Sequence, residues 1–319
     1  MSTPSPASAA NTNHVLVLVN PKAGRTTVAH QVDRLVELLR RRGFVVEASA
    51  DLVAICRQAN QAHREGRLRA LVGVGGDGTA AELVNQTDPG LPITLYPAGT
   101  RNLIAGYLGL RPSPEQICDT VASGTLLRLD AGVAAGRVFQ IMASCGFDAD
   151  VVLEVHRARD THAGGHLSYW SYLKPILQAI RNYQYPEMRV YWDDASDGRT
   201  ESWHGPISAR WVFVFNLPRY GWGLPLAHWA DGTDGLLDLC TFRRGSFWHG
   251  LRYLVMSQMG AHRCLRDCTV ARARRLRIVS DEPVRCQLDG DPGGWLPLEI
   301  EVLPGRLTFC VPEGHRSRA

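Results

Sequence analysis

Lysine is almost absent from this 319-residue chain: of 35 basic residues only Lys22 and Lys174 are lysine, and the remainder are arginine, a bias that fits a GC-rich coding genome. The 31 acids leave a formal charge of only +4. A balance that mild does not call for nucleic acid, and no nucleic-acid recognition module is present. No apolar run reaches the roughly 18–20 residues a membrane span requires. Residues 1–12, which hold Ser, Thr, Pro, Ala and Asn, lack the charged start and long apolar core of a signal peptide and read as a disordered tail. A soluble or peripheral protein is expected. Paired cysteine frameworks are missing too. Cys56, Cys118, Cys145, Cys240, Cys264, Cys268, Cys286 and Cys310 stand mostly in apolar runs, as free thiols do in a reducing compartment. His262, Cys264 and Cys268 lie close together, but without a CxxC pair or a second ligand cluster they do not make a zinc site.

What is present is an ordinary apolar fraction of 45% and a length that predicts two domains. The first 125 residues alternate short apolar runs with helical spacing. Val15 to Val19 reads as a strand, followed by Val28, Val32, Leu35, Val36 and Leu39 on one helix face, which Gly43 stops. Phe44 to Ala48, residues 70–74 and Pro92 to Tyr96 read as further strands, with helices over 51–65 and 79–86 and one opened by Ser113-Pro114. Such alternation predicts a parallel sheet covered on both faces, with ligands at the carboxyl ends of its strands. From about residue 126 the texture changes to short strand-like runs. These are Leu126 to Val133, Val138 to Ala143, Met188 to Trp192, Trp211 to Asn216, Leu236 to Phe242, Leu276 to Val279, Val284 to Leu288 and Leu298 to Val302. They predict a β-rich second domain. An apolar segment over 166–183 reads as a helix.

Three turns at strand ends are rich in Gly, Asn and Thr: residues 20–25, 75–79 and 97–102. In the middle one, Gly75-Gly76-Asp77-Gly78-Thr79, a strand gives way to a helix N-terminus whose N–H groups and dipole suit phosphate. Asp77 is out of place in a bare phosphate cradle unless it holds a metal or takes a proton. Residues 73–78 formally match the dinucleotide fingerprint. However, the match falls in the third strand–helix turn, Asp77 lies inside it, and no acid follows about twenty residues on. A Walker loop is excluded because no GK[ST] follows.

Six short motifs then occur in a fixed order. They are Val19-Asn20-Pro21-Lys22-Ala23-Gly24, Gly75-Gly76-Asp77-Gly78-Thr79, Pro97-Ala98-Gly99-Thr100-Arg101-Asn102, Gly146-Phe147-Asp148-Ala149-Asp150, Asp234-Gly235-Leu236-Leu237-Asp238 and Leu288-Asp289-Gly290-Asp291-Pro292. Across roughly residues 14 to 310 the chain resembles the diacylglycerol kinase catalytic family, which includes bacterial soluble lipid kinases and the sphingosine and ceramide kinases.

The resemblance implies an α/β fold. A Rossmann-like nucleotide domain over 13–128, related to NAD kinases, precedes a β-rich sandwich over 129–303, with residues 304–319 packing back on the first domain and the site in the cleft between. It implies ATP phosphates on Gly75, Gly76, Asp77, Gly78 and Thr79, with Asn20, Thr100, Asn102 and Asp291 also toward the nucleotide. For Asn20 and Thr100 the bare residues read equally as turn-makers and caps. The proton acceptor is Asp289 by analogy with the bacterial lipid kinases, or Asp77 by analogy with sphingosine kinases. Asp291 replaces the glutamate of the usual D-G-E. Asp231, Asp234 and Leu236 match a structural magnesium site, with a carboxylate from Asp234 and backbone oxygens from the other two. Catalytic Mg2+ would travel with ATP. Asp148 and Asp150 match acids near the lipid head group.

The expected activity is transfer of the γ-phosphate of ATP to a lipid hydroxyl of diacylglycerol, sphingoid-base or ceramide type. The expected place is the cytoplasm, peripherally at the membrane, with no nucleic-acid partner and a homodimer as one option. Two alternatives stand: a non-catalytic nucleotide- or lipid-binding protein, and an NAD-kinase-like kinase of a soluble substrate. Six arginines between 263 and 277 (Arg263, Arg266, Arg272, Arg274, Arg275, Arg277) face only Asp267 in sequence. With Trp222, Trp229 and Trp248 they read either as a membrane-facing surface or as a solvated strand face.

Overall fold

The computed structural model describes residues 12–20, 26–99, 101–161, 183–193, 203–218 and 225–315. All but the last residue of the expected helix over 166–183, the 21–25 turn with Lys22, Thr100, Trp222 and nearly all of the N-terminal tail lie outside the described residues. The chain forms two compact units, Met1–Leu129 with Gly305–Arg318, and Asp130–Pro304.

The first unit is built on a parallel sheet. Strand β1 (His14–Val19) pairs with β2 (Val45–Ser49) and β3 (Leu68–Gly75), and β3 pairs with β4 (Pro92–Pro97). The carboxyl half of the last strand, β16 (Leu298–Cys310), adds to β4 in parallel through Thr308 and Phe309. Val15, Leu16, Val17 and Leu18 are all buried, as are Leu71, Val72 and Val74. Helices cover these apolar runs, so the runs read as continuous rather than alternating. Helix α1 (Thr26–Arg41) buries Val32, Leu35 and Leu39. Gly43 follows it at φ 88, with its N–H on Arg40 O. Asp51 caps α2 (Leu52–Arg64), accepting from Ala54 N, and Ser113 caps α5 (Pro114–Ser123), accepting from Gln116 N. Helix α3 (Asp77–Gln86) starts two residues earlier than its apolar spacing suggests. Asp77 and Thr79 therefore belong to its first turn, and Gly76 is its N-cap. Helix α4 (Leu103–Tyr107) is a short turn of helix after β4.

The second unit is an antiparallel β sandwich. One sheet orders the amino half of β16, β13 (Arg275–Val279), β8 (Met188–Asp193) and β9 (Trp203–Ala209). The other orders β12 (Cys268–Ala273), β11 (Leu237–Phe242), β10 (Trp211–Phe215), β7 (Met142–Gly146), β14 (Arg285–Leu288) and β15 (Asp291–Trp295). Val190, Leu276, Ile278 and Ile300 of the first sheet meet Val212, Val214, Leu237, Leu239 and Leu288 of the second in one core.

The expected strand from Val138 to Ala143 is two strands, β6 (Arg137–Phe139) and β7, separated at Gln140 and Ile141. The break has a tertiary cause: the N–H groups of Gln140 and Ile141, with that of Met142 at the start of β7, turn to the Asp289 carboxylate. Strand β9 is disguised in sequence by Gly205-Pro206. Two helices also lack a clear periodic signal: α6 (Phe147–Thr161) and α7 (Phe247–Gln258).

Candidate functional site

In the first unit, three carboxyl strand ends lie side by side because β1, β3 and β4 are neighbours in the sheet. Asn20 follows β1, and its Nδ2 donates to Thr79 Oγ1 at 3.0 Å across to α3. The turn after β3 packs on the turn after β4 with almost no clearance. A Cβ on Gly99 would sit 2.6 Å from Gly76 Cα, and one on Gly75 would sit 2.1 Å from Thr79 Oγ1. Gly76 and Gly99 are thus glycines for close approach, not for a left-handed φ. Asn102, at φ 53, closes the second turn on itself: Oδ1 accepts from Gly99 N at 3.0 Å and Nδ2 donates to Gly99 O at 2.8 Å.

Asp77 turns away from its own helix, and its Oδ1 accepts from Ile104 N at 3.0 Å in the first turn of α4. No side chain caps α3 at Gly76, and the space a Cβ on Gly78 would enter is open. The result is a rigid glycine-lined helix N-terminus with room in front of it, suited to an anionic phosphate. Asn20, Gly75, Gly76, Asp77, Gly78, Thr79 and Asn102 are brought together there. Thr100 lies outside the described residues.

In the second unit, Asp289 stands at the tip of the β14–β15 hairpin with φ 52, followed by Gly290 at φ 86. Its carboxylate accepts three backbone N–H bonds: Gln140 at 2.6 Å on Oδ2, and Ile141 at 2.9 Å and Met142 at 3.0 Å on Oδ1. These donors fix the carboxylate in one orientation. Gln287, fully buried on β14, links the hairpin to α6. Its Oε1 accepts from Gly290 N at 2.7 Å, while its Nε2 donates to Ser144 Oγ at 2.9 Å and Asp148 Oδ2 at 3.2 Å. Ser144 Oγ also donates to Asp148 Oδ2 at 2.5 Å. Asn216, also buried, donates to the carbonyls of Asp130 and Gln140, bracing the same segment. Gln287, Ser144 and Asn216 lie in none of the six motifs. A signal existed for Gln287, a polar side chain inside an apolar strand run, because a buried amide needs partners.

The other expected residues have partners of their own. Asp291 pairs with Arg137 at 2.6 Å. Asp150, in the first turn of α6, has its carboxyl raised by burial, and Arg285 at 3.4 Å opposes the rise. Asp148 lies in the same first turn.

At the Asp231–Leu236 turn, Asp231 Oδ1 accepts from Thr233 N and Oγ1, and Asp234 Oδ1 accepts from Leu236 N. The other Asp234 oxygen is ion-paired with Arg272. A magnesium ion held by Asp234 and the backbone of Asp231 and Leu236 would have to replace Arg272 as countercharge. The side chains as they stand do not fit the metal. Among the described residues no group of three His, Cys, Asp or Glu is gathered for one. His262 bonds Leu226 O at 3.0 Å through Nε2, and Cys264 is exposed, so their proximity in sequence has no ligand geometry. All eight cysteines are free.

An apolar cavity of about 290 Å³ lies between α7 and the β10–β11 face, walled by Phe147, Tyr185, Trp211, Phe213, Phe242, Leu251 and Leu254. Among the described residues on its wall, Asp148 is the one that bears a charge. A wider groove of about 710 Å³ runs past Arg275, Arg277, Glu299 and Glu301 and contains none of the candidate residues.

The arginine run from 263 to 277 is less bare than it reads. Arg272 pairs with Asp234, Arg275 with Asp193 at 2.8 Å and Arg277 with Glu299 at 3.9 Å. Trp229 is tied to Asp238 at 2.9 Å and covered by Arg263. Among the described residues no helix is long and apolar enough to cross a membrane.

Residues 14–134 match the model of the diacylglycerol kinase catalytic domain, and residues 141–311 match that of the YegS C-terminal NAD kinase beta sandwich-like domain. The chain is 26% identical over 305 residues to a diacylglycerol kinase of Bacillus subtilis, covering 93% of this chain and 96% of that one. It is 27% identical over 308 residues to a diacylglycerol kinase of Mycobacterium tuberculosis, covering 93% and 95%. In fold it is similar to the crystal structure of a diacylglycerol kinase from Bacillus anthracis, with a TM-score of 0.65, 17% identity and 94% and 97% of the two chains covered. It is also similar in fold to yeast NADH kinase, with a TM-score of 0.54, 10% identity and 97% and 86% covered. The parallel nucleotide-type sheet, the antiparallel sandwich and the matches across both halves make this chain a member of the diacylglycerol kinase and YegS-like lipid kinase family.

Proposed function

We propose that this protein transfers the γ-phosphate of ATP to a hydroxyl of a membrane lipid of diacylglycerol, sphingoid-base or ceramide type, and so serves lipid metabolism. One observation carries the reading. Within the second unit a single hydrogen-bonded path runs from the wall of the apolar cavity at Asp148, through Gln287, to Gly290 beside Asp289. An apolar cavity with one charged edge suits acyl chains that end in a hydroxyl-bearing head group. A carboxylate locked by three amides is well oriented to receive the proton of that hydroxyl, and a loose phosphoryl-transfer transition state rewards positioning above basic strength.

In this reading Asp289 takes the proton. Gly75 to Thr79, with Asn20 and Asn102 bracing the turns, receive the ATP phosphates. Asp77 keeps the α3 and α4 N-termini in register. Magnesium accompanies ATP and neutralises phosphate charge. The protein works at the membrane surface without nucleic acid.

The test is turnover of labelled ATP with a panel of diacylglycerol, sphingoid base, ceramide and phosphatidylglycerol in micelles. Asp289→Asn and Asp77→Asn are carried in parallel, with ATP affinity measured for each. Asp289→Asn should lower kcat by about 100-fold or more with ATP affinity within twofold, while Asp77→Asn should lower ATP affinity. Near-normal turnover in Asp289→Asn removes it as base. Labelling of a soluble acceptor with no lipid product rejects the lipid reading, and ATP binding with no transfer to anything leaves a non-catalytic binding protein.

A further inference from the structure

Helix α7 is inside out. Eleven large apolar side chains are exposed among the described residues, and six of them fall between Phe247 and Met259. Trp248 is 73% exposed, Val255 50% and Met259 71%, with Phe247, Leu251 and Leu254 at 40–45%. At 3.6 residues per turn these six share one arc of about 140°. The opposite side meets the sandwich through Gly250, Tyr253 and Ser257, and a Cβ on Gly250 would strike the Trp211 ring at 2.7 Å. A surface helix normally turns its apolar stripe inward, and this one turns much of it outward.

Along the chain the charge flanking it has one sign, and Asp267, the acid that follows, accepts from the Tyr253 hydroxyl on the buried side of the helix at 2.5 Å. From Leu239 to Arg266 the chain contains five arginines (Arg243, Arg244, Arg252, Arg263, Arg266) and no Asp or Glu, and all five are exposed. An apolar arc with a tryptophan near its edge and exposed arginines in the flanking chain is complementary to an anionic bilayer. Acyl chains receive the arc, the interface receives the indole, and lipid phosphates receive the guanidinium groups.

We propose that α7 is the element by which this protein docks on an anionic lipid bilayer. It lies in the plane of the interface with Trp248, Val255 and Met259 inserted and Arg243, Arg244 and Arg252 on the phosphates. The inference deepens the lipid-kinase reading, since the inner edge of α7 also walls the apolar cavity through Leu251 and Leu254. It is tested without turnover, so the two can fail separately.

The full-length protein is sedimented with vesicles of phosphatidylglycerol and phosphatidylcholine, and with phosphatidylcholine alone. Brominated lipids are used to read tryptophan quenching. Wild type should partition to the anionic vesicles and be quenched. The triple variant Trp248→Ser, Val255→Gln, Met259→Gln should lose at least tenfold in partitioning and keep its circular dichroism spectrum and its ATP affinity. Arg243→Gln with Arg244→Gln and Arg252→Gln should bring binding to anionic vesicles down to the level on neutral ones. The proposal is overturned if wild type ignores anionic vesicles or if the triple variant binds them as wild type does. It is equally overturned if the triple variant only converts a dimer to a monomer in light scattering with vesicle binding unchanged, which would make the face a contact between copies.

Discussion

Asp238 is a carboxylate in a buried strand, 2% exposed on β11, with Trp229 Nε1 at 2.9 Å and the Arg272 guanidinium at 3.8 Å. Burial raises its pKa from 3.8 to about 6, with Asp231 adding to the rise and the Trp229 hydrogen bond and Arg263 opposing it. A raised folded-state pKa means that the folded chain holds the proton more tightly than the unfolded one. The stabilisation is complete below the unfolded value and is lost as pH rises through about 6. Lowering the pH from 7 to 5 should therefore stabilise wild type by about 1 kcal/mol more than Asp238→Asn. Urea midpoints of both proteins at the two pH values check this, and parallel shifts would show that Asp238 does not titrate there. At this scale the sequence exposes types and hides partners. Asp77, Asp148 and Asp289 are conspicuous in their motifs, and no motif says that Asp77 caps α4 or that Asp289 gathers three amides from residues 140–142. Those partners are 27 and about 148 positions away along the chain, beyond any local pattern. The expected ligand turn at Asp231–Leu236 suffers the same way, since Arg272, which takes the Asp234 carboxylate, arrives from another strand.

The strand–turn–helix units of the first half were legible because periodicity, caps and glycine punctuation agree there, as at Ser113, Asp51 and Gly43. The helices α6 and α7 were not. Helix α6 carries acids and arginines without a clear stripe, and α7 shows an apolar arc that its burial does not use. What spacing cannot reveal in the first half is how tightly two turns touch. Gly99→Ala places a methyl group 2.6 Å from Gly76 Cα and 2.8 Å from Asn102 Oδ1, and backbone cannot yield as a side chain tip can. The substitution should cost about 1–3 kcal/mol of stability and weaken Mg-ATP binding by tenfold or more. Gly78→Ala is the matched control: nothing lies within 4 Å of its new methyl, so folding should be untouched. If phosphate approaches this turn, Gly78→Ala should still lose affinity in isothermal titration. Wild-type affinity in Gly78→Ala, with a normal urea midpoint, would place the phosphate elsewhere.

The chain leaves its first unit at residue 129 and returns to it at 305, so the nucleotide-type sheet is completed only by the last strand. The return is well anchored. Phe309 is fully buried and pairs with Ile93, Leu307 and Val311 are buried, and the Arg306 guanidinium donates to Val84 O at 3.0 Å and Thr87 O at 2.8 Å at the end of α3. The strand therefore supports β4 and the carboxyl end of α3, the helix whose opposite end bears the glycine turn. Phe309→Ala leaves a cavity in that sheet and should cost about 3–5 kcal/mol. The loss should be local to the unit the strand completes. Hydrogen exchange should speed up in residues 92–97 and 77–87 while residues 211–215 and 237–242 keep their protection. Equal loss in both sets would mean that the units unfold together, and no loss in 92–97 would mean that the pairing of Phe309 with Ile93 contributes little. If exchange does rise at the glycine turn, Mg-ATP affinity in Phe309→Ala should fall with it, because a phosphate site made of backbone N–H groups is only as ordered as the strand ends that hold it.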